Sequence, residues 1–408
     1  MWECCLFDTM TGLVGQPVDV PALTWSVSVS DCSLSTARDK GVGADDVGTV
    51  DLPWSAVPGH PSAAHGALAP LRRGLCLVRD GAAVAAGAIG PRTDTWDGTS
   101  FAVMSPMALL SQRLAVAPNT FGRGTTTVEE GEDKGKRVDH VTTSQLRWTG
   151  QSLRSIACRL IEAAVSGEGA SLPIDYGRYL GERGGHERTY DGFNAANNDV
   201  AKLLDALTNV SGGPDIQLRP YLVSDPWPGV RWDVVAGSDA VPGLPGADTV
   251  PTLTCFPGGG TAQGLECASL APVMRVYGTG SGQDKATLCH EAADLSLCRR
   301  ADPWPLLEAT VSNSSDWDSY GLVRAHTESR LAAAKRPLVQ LRCTVDASDP
   351  RNPVVPGSVW PGQRVDLDLE GHPTLPDGRY EMRLMEMSGD LGETVTLVFD
   401  QMEDPREV

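Results

Sequence analysis

The sequence predicts an α+β fold that is mainly β, with strand-rich ends on either side of a small α+β middle region. Three observations carry this. Apolar residues alternate with period 2 near both termini, as at Trp25, Val27 and Val29 and again at Val339, Leu341, Cys343 and Val345. Two segments in the middle, about 151–165 and 198–210, keep the i, i+3, i+4, i+7 spacing of amphipathic helices. Gly 44 and Pro 29 punctuate the 408 residues densely, which favours short strands and many turns. At this length two or three domains are expected, large enough to bury cores without disulfide staples.

In chain order, Thr24–Val29 reads as a half-buried strand, and the phase slips at Asp31, as at a bulge or a strand end. Residues 74–79 and 82–90 are apolar runs split by Asp80-Gly81, a strong hairpin signal. Residues 100–104 suit a further strand and 107–114 a short helix. Residues 116–147, with Gly122, Gly124 and the charged stretch from Glu129 to Arg137, suit an exposed loop excursion. In the middle region, Leu153, Ile156, Ala157, Leu160, Ile161 and Ala164 line one helix face; Val200, Leu203, Leu204 and Leu207 line another, with Asn197 or Asn198 as its cap. Strands follow at 216–222 and 230–235, then a Gly/Pro-rich loop or irregular hairpin at 236–268 and a helical stretch at 284–299. A helix at 319–335 stops before Pro337. Four alternating strands close the chain, around 339–345, 365–369, 380–384 and 395–399, with Pro376-Asp377-Gly378 as a turn; such spacing suits a barrel or sandwich.

The net charge of −18, from 34 basic and 52 acidic residues, excludes a typical duplex-DNA binder, which needs clustered basic residues to neutralise phosphate. The basic set is 6 Lys and 28 Arg, a bias of GC-rich coding. No apolar run is long enough for a membrane helix, and the first residues lack the basic and apolar regions of a secretory signal, so synthesis in a cytosol without membrane insertion is expected. Ten dispersed cysteines do not make a disulfide scaffold and suit buried small side chains.

A search for chemistry yields no coherent active site. Cys289-His290, Cys298, Cys255 and Cys267 are the densest ligand group, yet they lack the two close pairs of a zinc site, and Cys4-Cys5 are too near each other to share an ion. There is no nucleophile elbow and no H-E-x-x-H, and none of the seven His, His326 included, sits in a motif. Asp316 and Asp318 suit helix capping, and Asp366 and Asp368 the polar face of a strand. Gly258–Gly260 and Gly278-Thr279-Gly280 lack the Lys-Ser/Thr of a phosphate loop and read as turns. No catalytic, cofactor or metal residues are therefore assigned. Four of the ten tryptophans sit beside turn residues: Trp54, Trp227, Trp304 and Trp360. They either cover a core edge or anchor an oligomer or partner interface, where aromatics are enriched.

The last third carries a recognisable order: Asp302-Pro303-Trp304-Pro305 ahead of a helix, an alternating strand, Pro356-Gly357, Pro361-Gly362-Gln363-Arg364-Val365, then Pro376-Asp377-Gly378-Arg379-Tyr380 and a strand hairpin. Near the start, Trp25-Ser26-Val27-Ser28, residues 84–89 and residues 100–114 follow in a matching order. This pattern resembles the baseplate or tail hub family of long-tailed bacteriophages, the minor tail proteins of actinobacterial phages, over about 1–115 and 300–402.

The resemblance implies two β-barrel hub domains flanking a small α+β middle domain: 1–115 as the first barrel, 116–147 as the loop excursion, 148–300 as the middle domain with loop 236–268, and 301–408 as a helix plus the second barrel. It implies a homotrimer at the virion tail tip that closes the tail tube. Its partners would be the distal tail protein ring, the tape measure protein and tip or fibre proteins, with DNA only as passing cargo. No cofactor is implied. Some hubs carry a C-terminal peptidoglycan-cleaving extension; this chain ends soon after the last expected strand, so that activity is not expected. The alternatives are a tail-tip cell-wall hydrolase or a carbohydrate-binding module for host recognition.

Overall fold

The computed structural model describes residues 1–408 apart from 37–47, 61, 118, 247–248, 315–316 and 408. The strands are β1 (Trp2–Asp8), β2 (Val14–Pro17), β3 (Thr24–Ser28), β4 (Cys32–Ser35), β5 (Thr49–Pro53), β6 (Arg73–Arg79), β7 (Ala82–Asp94), β8 (Gly98–Met104), β9 (Gly124–Thr127), β10 (Arg137–Val141), β11 (Gln145–Gln151), β12 (Ile174–Asp175), β13 (Arg183–Asp191), β14 (Ile216–Val223) and β15 (Gly229–Ala236). After them come β16 (Thr252–Phe256), β17 (Gly259–Gly260), β18 (Ala262–Leu270), β19 (Arg275–Thr279), β20 (Cys289–Ala293), β21 (Glu308–Ser312), β22 (Leu338–Asp346), β23 (Arg364–Leu369), β24 (Gly378–Asp390) and β25 (Thr394–Glu403). The helices are α1 (Ala64–Ala67), α2 (Pro106–Leu110), α3 (Leu153–Val165), α4 (Val200–Thr208) and α5 (Tyr320–Ala334). The chain is mainly β. It forms two compact units, one of Met1–Leu253, Val345–Asp366 and Glu381–Leu397, the other of Thr254–Thr344, Leu367–Tyr380 and Val398–Val408.

In the first unit the N-terminal strands form an antiparallel sheet of order β2-β1-β6-β7-β8-β5. Asp80-Gly81 makes the expected two-residue hairpin; both residues have positive φ (48° and 82°), the conformation of a type I′ turn. The slip at Asp31 is a strand end: β3 and β4 are separate strands that pair with Val27 opposite Cys32. The other edge of β3 pairs with Glu386–Asp390 of β24, so segments from the two ends of the chain share a sheet. A buried arginine reinforces this joint. Arg79 Nη2 donates to the Ala347 carbonyl at 2.8 Å and to Glu393 at 2.6 Å, and its guanidinium lies 5.3 Å from the Trp2 ring centre.

The middle of this unit is built on β12-β15-β14, where β15 runs parallel to β12 and antiparallel to β14. Ser152 caps α3 by accepting from Ser155 N, and all six residues expected on its apolar face are buried. They pack with Val200, Leu204, Leu207, Phe7 and Trp232 in one core, where the Phe7 and Trp232 rings meet edge to face at 5.6 Å. Asp199, not Asn197 or Asn198, caps α4, because Asn198 is buried and donates to the Asp191 and Ala115 carbonyls. Most described residues of the 116–147 segment are at least partly exposed, but Ser144 is buried, and the segment contains the β9–β10 hairpin and the start of β11. The 236–268 segment takes the hairpin alternative in part: β16 pairs antiparallel with β17, and most of β18 follows.

In the second unit, β19 lies between antiparallel β20 and parallel β21. The expected helix at 284–299 is absent: Cys289–Ala293 is strand β20, flanked by single 3-10 turns. Pairing along five residues of β19 overrides the helix preference of Ala and Leu. Gly278-Thr279-Gly280 is not a turn either. Gly278 and Thr279 lie in β19, and a Cβ on Gly278 would sit 1.8 Å from Thr327 Oγ1 of α5, so the absent side chain permits the helix to pack closely. Ser319 caps α5 by accepting from Leu322 N, the role assigned to Asp318; Asp316 lies outside the described residues. The last four strands, in sheet order β23, β24, β25 and β22, each contribute residues to both units. No helix among the described residues is long and apolar enough to cross a membrane.

Candidate functional site

The four turn tryptophans have different fates. Trp360 is buried, and Trp304 is half-buried with its N–H donating to the Leu297 carbonyl. Trp227 is 69% exposed in the β14–β15 connection. Trp54 is half-buried; it stacks on His60, and its Nε1 donates to the Thr95 carbonyl at 2.8 Å. That bond braces the β7–β8 turn. Thr95 and Gly98 close the same turn by exchanging backbone and hydroxyl hydrogen bonds. At its tip stands Trp96, 98% exposed, a residue the sequence reading passed over.

Trp360 forms one wall of the most chemically loaded cleft of the first unit. The cleft has a volume near 570 Å³ and is lined by Asp175, Arg178, Arg219, Pro220, Tyr221, Asp233, Gly357 and Trp360. Strand alternation builds it. On β15, Val230, Trp232 and Val234 face the core, so Arg231 and Asp233 face the other way. Register sets Arg219 opposite Asp233 and Tyr221 opposite Arg231, and Asp175 of β12 lies opposite Asp233.

Charges in the cleft are paired unevenly. Asp175 accepts from Arg231 Nε at 2.9 Å and from the Tyr221 hydroxyl, and the Arg231 hydrogen bond holds its carboxyl below the usual range. Asp233 pairs with Arg178 at 2.6 Å, yet burial pushes its carboxyl up. Arg219 makes no ion pair among the described residues, although Asp233 opposite it on β15 attracts its charge. Its Nε donates to Gln217 Oε1 at 2.6 Å, and its Nη2 is buried without an acceptor. Gln217 is itself fixed by donating to the Ser28 and Pro361 carbonyls. The guanidinium lies 5.8 Å from the Trp360 ring centre, and burial pushes it down to about 10.

The histidines, cysteines and aspartates with catalytic or ligand chemistry each have separate partners. Among the described residues no three His, Cys, Asp or Glu side chains converge as metal ligands. His290 Nδ1 meets the Tyr320 hydroxyl, Cys298 Sγ contacts Met274 Sδ, and His326 stacks on Trp317 at 4.4 Å. Asp366 is not on a solvated face: it is fully buried and accepts from Arg364 at 2.7 Å. Four of the ten cysteines are buried, and one, Cys289, is exposed.

No family model and no curated protein matches the chain. Solved structures similar to it include phage tail and baseplate proteins, a component of the type VI secretion system of E. coli and a gene transfer agent particle. A 43 kDa tail protein of prophage MuSo2 from Shewanella oneidensis shares 9% identity over 100% of both chains, with a TM-score of 0.46. A tail protein from Neisseria meningitidis MC58 shares 13% over 100% of this chain and 99% of that one, at 0.45. Prophage tail protein gp18 from Listeria monocytogenes EGD-e shares 9% over 97% and 94%, at 0.41. At these scores the likeness identifies neither a family nor an activity.

Proposed function

We propose that this chain is a non-enzymatic structural protein of a bacteriophage tail, a homotrimeric tail-tip hub. It joins the ring of distal tail protein to tip or fibre proteins and holds the end of the tape measure protein until DNA passes. The observation that carries the reading is the behaviour of the two end segments. Residues whose order resembles the hub barrels fold into β6-β7-β8 with its neighbours at one end, and into β23-β24-β25-β22 at the other. In this reading 1–115 and 301–408 are the two barrel domains around the middle domain, joined where β3 pairs with β24.

Trp96 and Trp227, the most exposed tryptophans, then serve as anchors for neighbouring tail proteins. A closed trimer uses a heterologous interface, which buries such anchors without leaving an open-ended sticky surface. The charge of −18 per subunit suits a channel wall that repels passing DNA.

Light scattering on the chain purified with its phage's distal tail protein tests the proposal. Three copies bound to one distal tail ring are expected. A monomer that joins no tail protein would overturn it.

A further inference from the structure

We propose that the Arg219–Trp360 cleft is a binding site for an acidic peptide segment of a partner protein, whose carboxylate is clamped by Arg219 against the Trp360 face. The first argument is charge. Three guanidiniums, of Arg178, Arg219 and Arg231, line or flank the cleft beside two carboxylates, of Asp175 and Asp233. Both carboxylates are already matched by Arg178 and Arg231, so the charge of Arg219 is left over in a chain whose net charge is strongly negative.

The second argument is geometry. An arginine held away from water is normally met by a carboxylate, because its five N–H groups form a rigid fork. Here only Nε has an acceptor among the described residues, while Nη2 is buried with none. Leaving such a donor unpaired is costly, and a carboxylate bound against the edge of the guanidinium that lines the cleft offsets that cost by matching its charge. The third argument is preorganisation. Gln217 bridges Ser28 and Pro361 while accepting from Arg219, and Trp360 N–H donates to Gln363 Oε1, so both walls are fixed before a ligand arrives. The volume near 570 Å³ admits a short stretch of peptide rather than a lone ion.

The probe is a fluorescein-labelled hexaglutamate peptide, followed by anisotropy on the full chain at about 0.15 M salt, where exposed charges are screened within about 8 Å. Saturable binding is expected. It should weaken about tenfold or more in Arg219→Gln and partially recover in Arg219→Lys, because truncating one half of a desolvated charge pair has a large effect. Trp360→Leu, which keeps an apolar wall but removes the aromatic face, should weaken it by a smaller factor. Thermal melts of each variant separate loss of the site from loss of the fold, and Arg324→Gln, on an exposed helix face of the second unit, should bind as the wild type does. Absence of binding by the wild type, equal binding by folded Arg219→Gln, or tighter binding of a labelled duplex DNA than of the peptide would each overturn the proposal.

Discussion

Arg79→Met isolates the joint between the N-terminal sheet and the segments around Ala347 and Glu393. Met keeps most of the side-chain length and removes the charge. Four interactions go with it: the donor to the Ala347 carbonyl at 2.8 Å, the pair with Glu393 at 2.6 Å, a looser ion pair of Nε with the exposed Asp80 at 3.5 Å, which adds little, and the contact 5.3 Å from the Trp2 ring. A charge-assisted bond to a buried carbonyl contributes about 1.5–3 kcal/mol. Glu393 is 48% exposed, so its pair contributes at most about 0.5–1 kcal/mol. The ring contact adds about 0.5–1 kcal/mol. Against these stands the desolvation of a guanidinium that is 4% exposed and whose Nε and Nη1 form no hydrogen bond, a penalty the substitution relieves. The net expectation is a loss of about 2 kcal/mol. Urea unfolding of the full chain should show a lower midpoint at unchanged slope. The cycle with Glu393→Gln should give a coupling below about 1 kcal/mol, because that carboxylate stays solvated. A loss under about 0.5 kcal/mol for Arg79→Met would refute the idea that Arg79 holds this joint.

Gly278→Ala should destabilise the second unit by about 1–3 kcal/mol, since the new Cβ meets Thr327 Oγ1 at 1.8 Å; faster hydrogen exchange in α5 and β19 would report it. The Asp175 carboxyl is held below its ordinary value by Arg231, so its contribution to stability is complete above about pH 4 and is lost as pH falls through the lowered value. Asp175→Asn should therefore lower stability at neutral pH and shrink the difference from wild type in acid, as followed by melting temperature against pH. Trp96→Ser should leave the unfolding midpoint within about 0.5 kcal/mol of wild type, because the side chain is 98% exposed, while reducing incorporation into tails in a complementation assay.

Local signals made much of the fold legible. Asp80-Gly81, the apolar face of α3, most of that of α4 and the alternation of β22 and β25 arise from neighbours along the chain and take the expected form, whereas β23 buries Asp366 between Val365 and Leu367. What stayed hidden depends on distant partners. Cys289–Ala293 becomes a strand only because β19 is beside it, and Gly278 is needed for the approach of α5 rather than for a turn. Strand β5 was readable, since Val50 and Leu52 alternate with exposed residues, but five residues between glycines and prolines give a weak signal. In the cleft, the alternation of Val230, Trp232 and Val234 implied an outward face carrying Arg231 and Asp233. The pairing with Arg219 and the closing wall of Trp360 required the register of β14 on β15 and a return of the chain some 140 residues later. Trp96 carried no periodic signal at all; its exposure follows from a turn closed by Thr95, Gly98 and Trp54.

The central claim is tested most directly by an electron cryomicroscopy map of the tail tip of the phage that encodes this chain. The account predicts three copies closing the distal end of the tail tube, in contact with the distal tail protein ring. A map in which the chain is absent from the particle, or repeats along the tube, would contradict it.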